Sequence, residues 1–73
     1  MTLDYENDLA AAASATPAQA RNFYRRWFEL PGAHIWISWH QQQKLAESLL
    51  HREGLAQNQK EWLCRRYKLS QRD

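Results

Sequence analysis

The chain holds one cysteine, two glycines and two prolines in 73 residues, and no apolar run long enough to cross a bilayer. Each scarcity excludes something. A lone Cys64 cannot close an intrachain disulfide or build a cysteine-based zinc cage, in keeping with a reducing compartment. Placed after Leu63 in an apolar helical patch, it reads as a small buried hydrophobe rather than a nucleophile. With glycine confined to Gly32 and Gly54 there is no Gly-rich phosphate loop. The three histidines, His34, His40 and His51, are spaced so that no two share a helical turn, and no metal site is expected. The acids are scattered, and four tryptophans leave so small a domain little volume for a shaped pocket. The expectation is therefore a protein that is not an enzyme, with no cofactor and no small-molecule substrate. The stretch Met1 to Glu6 is acidic and lacks the basic start and apolar core of a secretion signal, so a cytoplasmic protein is expected.

What is present argues for helices. The hydrophobic fraction is 44%, yet the mean hydropathy is −0.83, because charged residues and glutamines interrupt every apolar stretch. A chain of this length buries only about 60% of the surface its unfolded form exposes, so long helices, good caps or a partner must supply the stability margin. The expected architecture is all-α: one domain over 1–73, a small compact bundle of three to four short helices. It divides into an acidic N-terminal segment (1–15), a helical core (16–69) and a frayed tail (70–73).

Local signals place the elements. Thr2 reads as an N-cap for a first helix from Leu3 to about Ala15, with Asp4, Glu6 and Asp8 near the positive end of its dipole. Its apolar stripe of Tyr5, Leu9 and Ala13 is narrow, which predicts weak anchoring. Thr16-Pro17-Ala18-Gln19 is a capping box with proline at the first helical position. Ala20, Phe23, Tyr24, Trp27 and Phe28 then form one broad apolar face, and Arg25 and Glu29 can pair at i, i+4. Pro31-Gly32 ends that helix, with Gly32 permitting positive φ. Ala33 to Ile37 reads as helix or an ordered connector. Ser38 with Gln41 is a second capping box; alternatively Ile35, Trp36, Trp39, Ala46, Leu49 and Leu50 form one continuous face from Ala33. Gly54 suits a left-handed residue after the helix, with Leu55 packing back on Leu50 as in a Schellman motif and His51 and Arg52 complementing the dipole. Asn58 with Glu61 predicts the last cap, and Trp62, Leu63, Arg66 and Tyr67 the last helical face, reaching about Leu69. Gln41 to Gln43 is the one low-complexity tract.

Three surfaces offer themselves for binding. Tyr24, Arg25, Arg26 and Phe28 bring hot-spot residue types together on one helix. Leu3, Tyr5 and Leu9 alternate with acids on the N-terminal segment, which suits a basic partner. Asp4, Glu6 and Asp8 make the first fifteen residues −3 and leave +5 for the remainder of a chain whose net charge is +2. The third surface is basic: Lys60, Arg65, Arg66, Lys68 and Arg72, interleaved with Trp62 and Tyr67, suit a phosphate backbone or base stacking. Leu49 to Leu63 departs from the helix-turn-helix pattern of DNA-binding proteins, with Leu50 where a small residue belongs and Glu53 and Lys60 where apolar ones do.

In length, acidic start and Arg- and Trp-rich helices, from Arg21 to Trp27 and from Trp62 to Tyr67, the chain resembles the small transcription regulators of lytic phages, those of Xanthomonas phages among them. The resemblance covers the general layout and implies a protein that binds bacterial RNA polymerase, blocks initiation by displacing the promoter-specificity factor and promotes read-through of terminators, in the cytoplasm of a bacterial host. The expected function is thus docking on a larger protein complex through Leu3, Tyr5, Leu9, Tyr24, Arg25, Arg26 and Phe28. The alternatives are a direct DNA- or RNA-binding module using Lys60, Arg65, Arg66 and Lys68, and an inhibitor of another host enzyme.

Overall fold

The computed structural model describes residues 4–29 and 32–69. Among them are four α-helices and one short 3₁₀ helix: α1 (Tyr5–Ala12), α2 (Pro17–Phe28), the 3₁₀ turn Ala33–Trp36, α3 (Trp39–Leu50) and α4 (Gln57–Tyr67). The all-α bundle expected from the sequence is what forms. The assignments to Thr2, Leu3, Pro31 and the 70–73 tail lie outside the described residues.

Helix starts follow side-chain chemistry. The Thr16 hydroxyl accepts from the Gln19 N–H at 3.2 Å while Gln19 Oε1 accepts from the Thr16 N–H at 3.0 Å, and Ser38 and Gln41 repeat the arrangement with the same distances. The second box separates α3 from the 3₁₀ turn, so the alternative of one continuous face from Ala33 is overturned. Two caps differ from expectation. The cap of α1 is Asp4, whose carboxylate accepts from the Asn7 N–H at 3.0 Å. The cap of α4 is Ala56 rather than Asn58; Ala56 brings no side-chain acceptor, and only the returning half of a box exists, its N–H donating to Gln59 Oε1 at 2.9 Å.

The core is built where the periodicity of α2 places it. Ala20, Tyr24, Trp27 and Phe28 meet Leu45, Ala46 and Leu49 of α3, Leu63 and Tyr67 of α4, and Ala12, Ala15 and Leu55. Ala12 and Ala15 belong to this single core, so the acidic segment is part of the bundle and packs on α2 and α3. Its buried positions are Asp8 and Ala12 rather than Ala13. Asp8 is no mere dipole complement, because its Oδ2 accepts from Trp27 Nε1 at 2.8 Å and meets Arg26 Nη1 at 3.4 Å.

Both glycines are needed for close backbone approaches, and only Gly54 has the positive φ expected of it. Gly32 has φ −104°, an ordinary value; a Cβ there would lie 2.5 Å from the Trp27 carbonyl oxygen and 2.8 Å from His34 Nδ1. Gly54 does have positive φ, 121°, but it lies beyond α3, which stops at Leu50 with Arg52 N–H donating to the Leu49 carbonyl at 3.0 Å. A Cβ on Gly54 would collide with the Pro17 backbone. No Schellman motif closes there. Arg52 turns away from its own helix end and donates from Nε to the Ala15 carbonyl at 3.0 Å, tying the α3–α4 connection to the α1–α2 corner. The 6→1 closure appears instead at α4, where Lys68 is left-handed (φ 55°, ψ 43°) and Leu69 N–H donates to the Cys64 carbonyl at 3.0 Å.

Asp8→Ala would leave the buried Trp27 N–H without an acceptor, a loss of about 2 kcal/mol, or a drop of roughly 10 °C in Tm at this chain length. Asp8→Asn, which keeps an acceptor oxygen, should lose less. Thermal unfolding followed by circular dichroism checks both, and a Tm for Asp8→Ala within about 2 °C of the parent would refute the anchoring role.

Candidate binding surfaces

The polar contacts between α3 and α4 set the geometry of the exposed aromatic side. Tyr67 is buried, and its hydroxyl donates to Gln42 Oε1 at 2.8 Å; Gln42 Nε2 donates in turn to the Ile37 carbonyl at 3.1 Å. Gln43 Nε2 donates to the Tyr67 carbonyl at 3.0 Å. The low-complexity tract therefore has three separate tasks: Gln41 caps α3, Gln42 holds the Tyr67 side chain and Gln43 satisfies the end of α4.

With α4 held in that register, Arg66 lies among three aromatic rings. Its guanidinium carbon is 5.7 Å from the Trp39 ring centre, 5.5 Å from that of Trp62 and 5.7 Å from that of Tyr67. Its Nε is 3.3 Å from the Tyr67 hydroxyl. Trp39 rests on Tyr67 with centroids 4.8 Å apart, and Trp62 meets Tyr24, Phe28 and Tyr67 at 6.1–6.3 Å. Trp39 nevertheless stays 51% exposed, and the preceding turn leaves Trp36 74% and Ile35 61% exposed. Hydrophobic side chains of this size concentrated within five residues are an unusual expense for so small a core.

The 3₁₀ turn is held from beneath. His34 is buried, with Nδ1 2.6 Å from the Trp27 carbonyl oxygen and its ring stacked on Phe28 at 5.9 Å. That carbonyl lies near the end of α2, where a helix has no partner of its own to offer. His34 thus anchors the turn through Nδ1–H, while Ile35 and Trp36, on either side of the inward direction, face out.

An open groove of about 740 Å³ runs between α1 and α3, lined by Tyr5, Leu9, Ala10 and Ala13 on one wall and by His40, Lys44 and Glu47 on the other. Tyr5 packs edge-on to Trp27 at 6.2 Å, and its hydroxyl is buried without a hydrogen-bond partner.

The residues expected to bind are distributed unequally over these surfaces. Tyr5 and Leu9 are half-buried at the α1–α3 groove, and Leu3 lies outside the described residues. Tyr24 and Phe28 are buried in the core, so neither offers a side chain to a partner; the broad face that contains them is the one that α2 turns inward. Arg25 is exposed and 4.0 Å from Glu29, at the limit of an ion pair, whereas Arg26 is engaged by Asp8. Hence the aromatic and arginine residues of α2 do not form one surface. Of the basic set, Arg65 and Arg66 flank Trp62, Lys68 is exposed at the C-cap and Lys60 is half-buried. Sequence reasoning missed Ile35, Trp36 and Trp39 as a surface. The signal was present in the Ser38–Gln41 box, which breaks the helical phase between residues 35–36 and residue 39.

Among the described residues no group of three or more His, Cys, Asp or Glu side chains is placed to hold a metal, and no helix is long and apolar enough to cross a membrane. The structure defines the chain as a small all-α bundle with an exposed aromatic turn beside a basic helix. Comparison of the sequence and structure with protein families, curated proteins and solved structures finds no match.

All three tyrosines have their pKa raised: Tyr5 by burial and then Glu6, Tyr24 by burial and then Glu29 and Tyr67, and Tyr67 by burial, partly offset by its bond to Arg66 and that residue's charge. Because folding favours the protonated phenols, their contribution to stability is complete below the unfolded value of about 10 and is lost as pH rises through the folded values. Tyrosinate absorbance should therefore appear later than in free tyrosine and together with loss of helical circular dichroism. Ionisation at the ordinary pH with the helices intact would contradict this account.

Proposed function

We propose that the chain is a non-enzymatic binding protein that docks on a large host assembly, bacterial RNA polymerase, and acts there to inhibit initiation, promote antitermination, or both. The observation that carries the docking part is the outward presentation of Ile35, Trp36 and Trp39 on a turn fixed by His34 and Ser38. Water gains nothing from these side chains, whereas a protein partner gains the residue type most enriched at interface hot spots. Prior fixing of the turn lowers the ordering cost of association. The choice of RNA polymerase comes from the resemblance in general layout to lytic-phage transcription regulators. Tyr5 and Leu9 at the α1–α3 groove, with Arg25 exposed on α2, provide further contacts in this reading.

The test is binding of the protein to purified bacterial RNA polymerase, by biolayer interferometry, alongside run-off transcription from a promoter followed by a terminator. Trp36→Ala should lower affinity by roughly thirtyfold, as for an interface anchor worth about 2 kcal/mol. Because Trp36 is mostly solvent-exposed, its removal should leave Tm nearly unchanged. Failure to bind the polymerase would reject the partner. Undiminished binding by folded Trp36→Ala would reject the surface.

A further inference from the structure

The geometry points to a second binding site, on α4: a cleft that takes single-stranded nucleic acid through its phosphates and a base face. The cleft is a shallow, open groove between side chains of α4 alone, lined by Asn58, Trp62, Arg65 and Arg66.

The lining supplies the separate contacts such a ligand needs. Trp62 is half-exposed, and its indole with the Arg66 guanidinium 5.5 Å from the ring centre forms an aromatic–cation pair against which a base can stack. Arg65 and Arg66 carry planar forks suited to phosphate oxygens. Asn58 brings an amide with both donors and an acceptor, which matches the edge of an unpaired base.

Charge favours the same occupant. From Gln57 to Lys68 there are four cations, Lys60, Arg65, Arg66 and Lys68, against the single acid Glu61. Glu61 approaches Arg65 at 3.7 Å, but that arginine side chain is 82% exposed, so the pair yields readily to a phosphate. Arg66 has no carboxylate partner among the described residues and is held instead over aromatic rings, which fixes its direction without neutralising it. A duplex would not use this arrangement, since its bases are paired and their faces are stacked. This site does not depend on the protein-docking reading, which uses the turn at Ile35–Trp39.

The experiment is fluorescence anisotropy of a labelled 12-nucleotide oligouridylate titrated with the isolated full chain, over a series of salt concentrations. Two phosphate contacts should give a slope of log K against log salt of about −1.4, and Arg65→Gln should reduce it to about −0.7 and weaken binding severalfold at low salt. Arg66→Lys, which keeps the charge but not the fork, should weaken binding by a smaller factor than Arg66→Gln. A thermal scan of each variant separates lost contact from lost fold. No binding at low salt, or an unchanged slope in folded Arg65→Gln, overturns the proposal. It is equally overturned if a polyglutamate peptide of matched charge competes as well as unlabelled oligouridylate, because the cleft is then a site for acidic protein. With no polymerase in the assay, none of these results bears on the docking surface.

Discussion

Trp27 is the residue on which the arrangement depends. It is wholly buried, and each part of it is used by a different element. Its indole N–H donates to Asp8 of α1, its ring receives the edge of Tyr5, and its backbone carbonyl meets His34 of the 3₁₀ turn. One side chain and its peptide group thereby bind the first helix and the connector to the second. A buried indole N–H must find an acceptor, and here the acceptor is a carboxylate, so the donor and the acid satisfy each other away from water. The arrangement explains how an eight-residue helix with little apolar surface can be part of the core at all.

The opposite side of the bundle depends on Gln42 and Tyr67. Their hydrogen bond is buried and fixes the rotation of α4 against α3. That rotation directs Leu63 and Tyr67 inward and leaves Arg66 over the Trp39 and Trp62 rings. The core contact and the exposed aromatic–arginine surface are thus two faces of the same helix phase.

The two candidate surfaces share this construction but differ in chemistry. The turn at Ile35 and Trp36 is apolar and rigidly supported, as an anchor for a protein partner needs to be. The α4 cleft combines cations with a half-exposed indole and an amide. Arg66 lies between them, covering one side of Trp39 while lining the cleft.

Patterns confined to one or two helical turns were legible in the sequence. The Thr16–Gln19 and Ser38–Gln41 boxes and the inward face of α2 follow from spacing and local hydrogen bonding, and all are present; of the face expected on α4, Leu63 and Tyr67 are buried while Trp62 is half-exposed and Arg66 exposed. What the sequence could not decide was the partner of each polar residue across the fold. Asp8 looks like any acid near a helix start, and Gln42 and Gln43 like members of a polar tract, until Trp27 and Tyr67 are brought beside them. Tyr24 and Phe28 have the composition of a docking face, but burial depends on which side of α2 meets α3 and α4. Trp36 and Trp39 have the composition of core, yet both stay largely exposed, Trp39 resting on the buried Tyr67. Caps and periodicity are properties of neighbouring residues and are therefore written locally; the burial of an aromatic or an acid is settled by competition among distant side chains for one small interior, and only tertiary packing decides it.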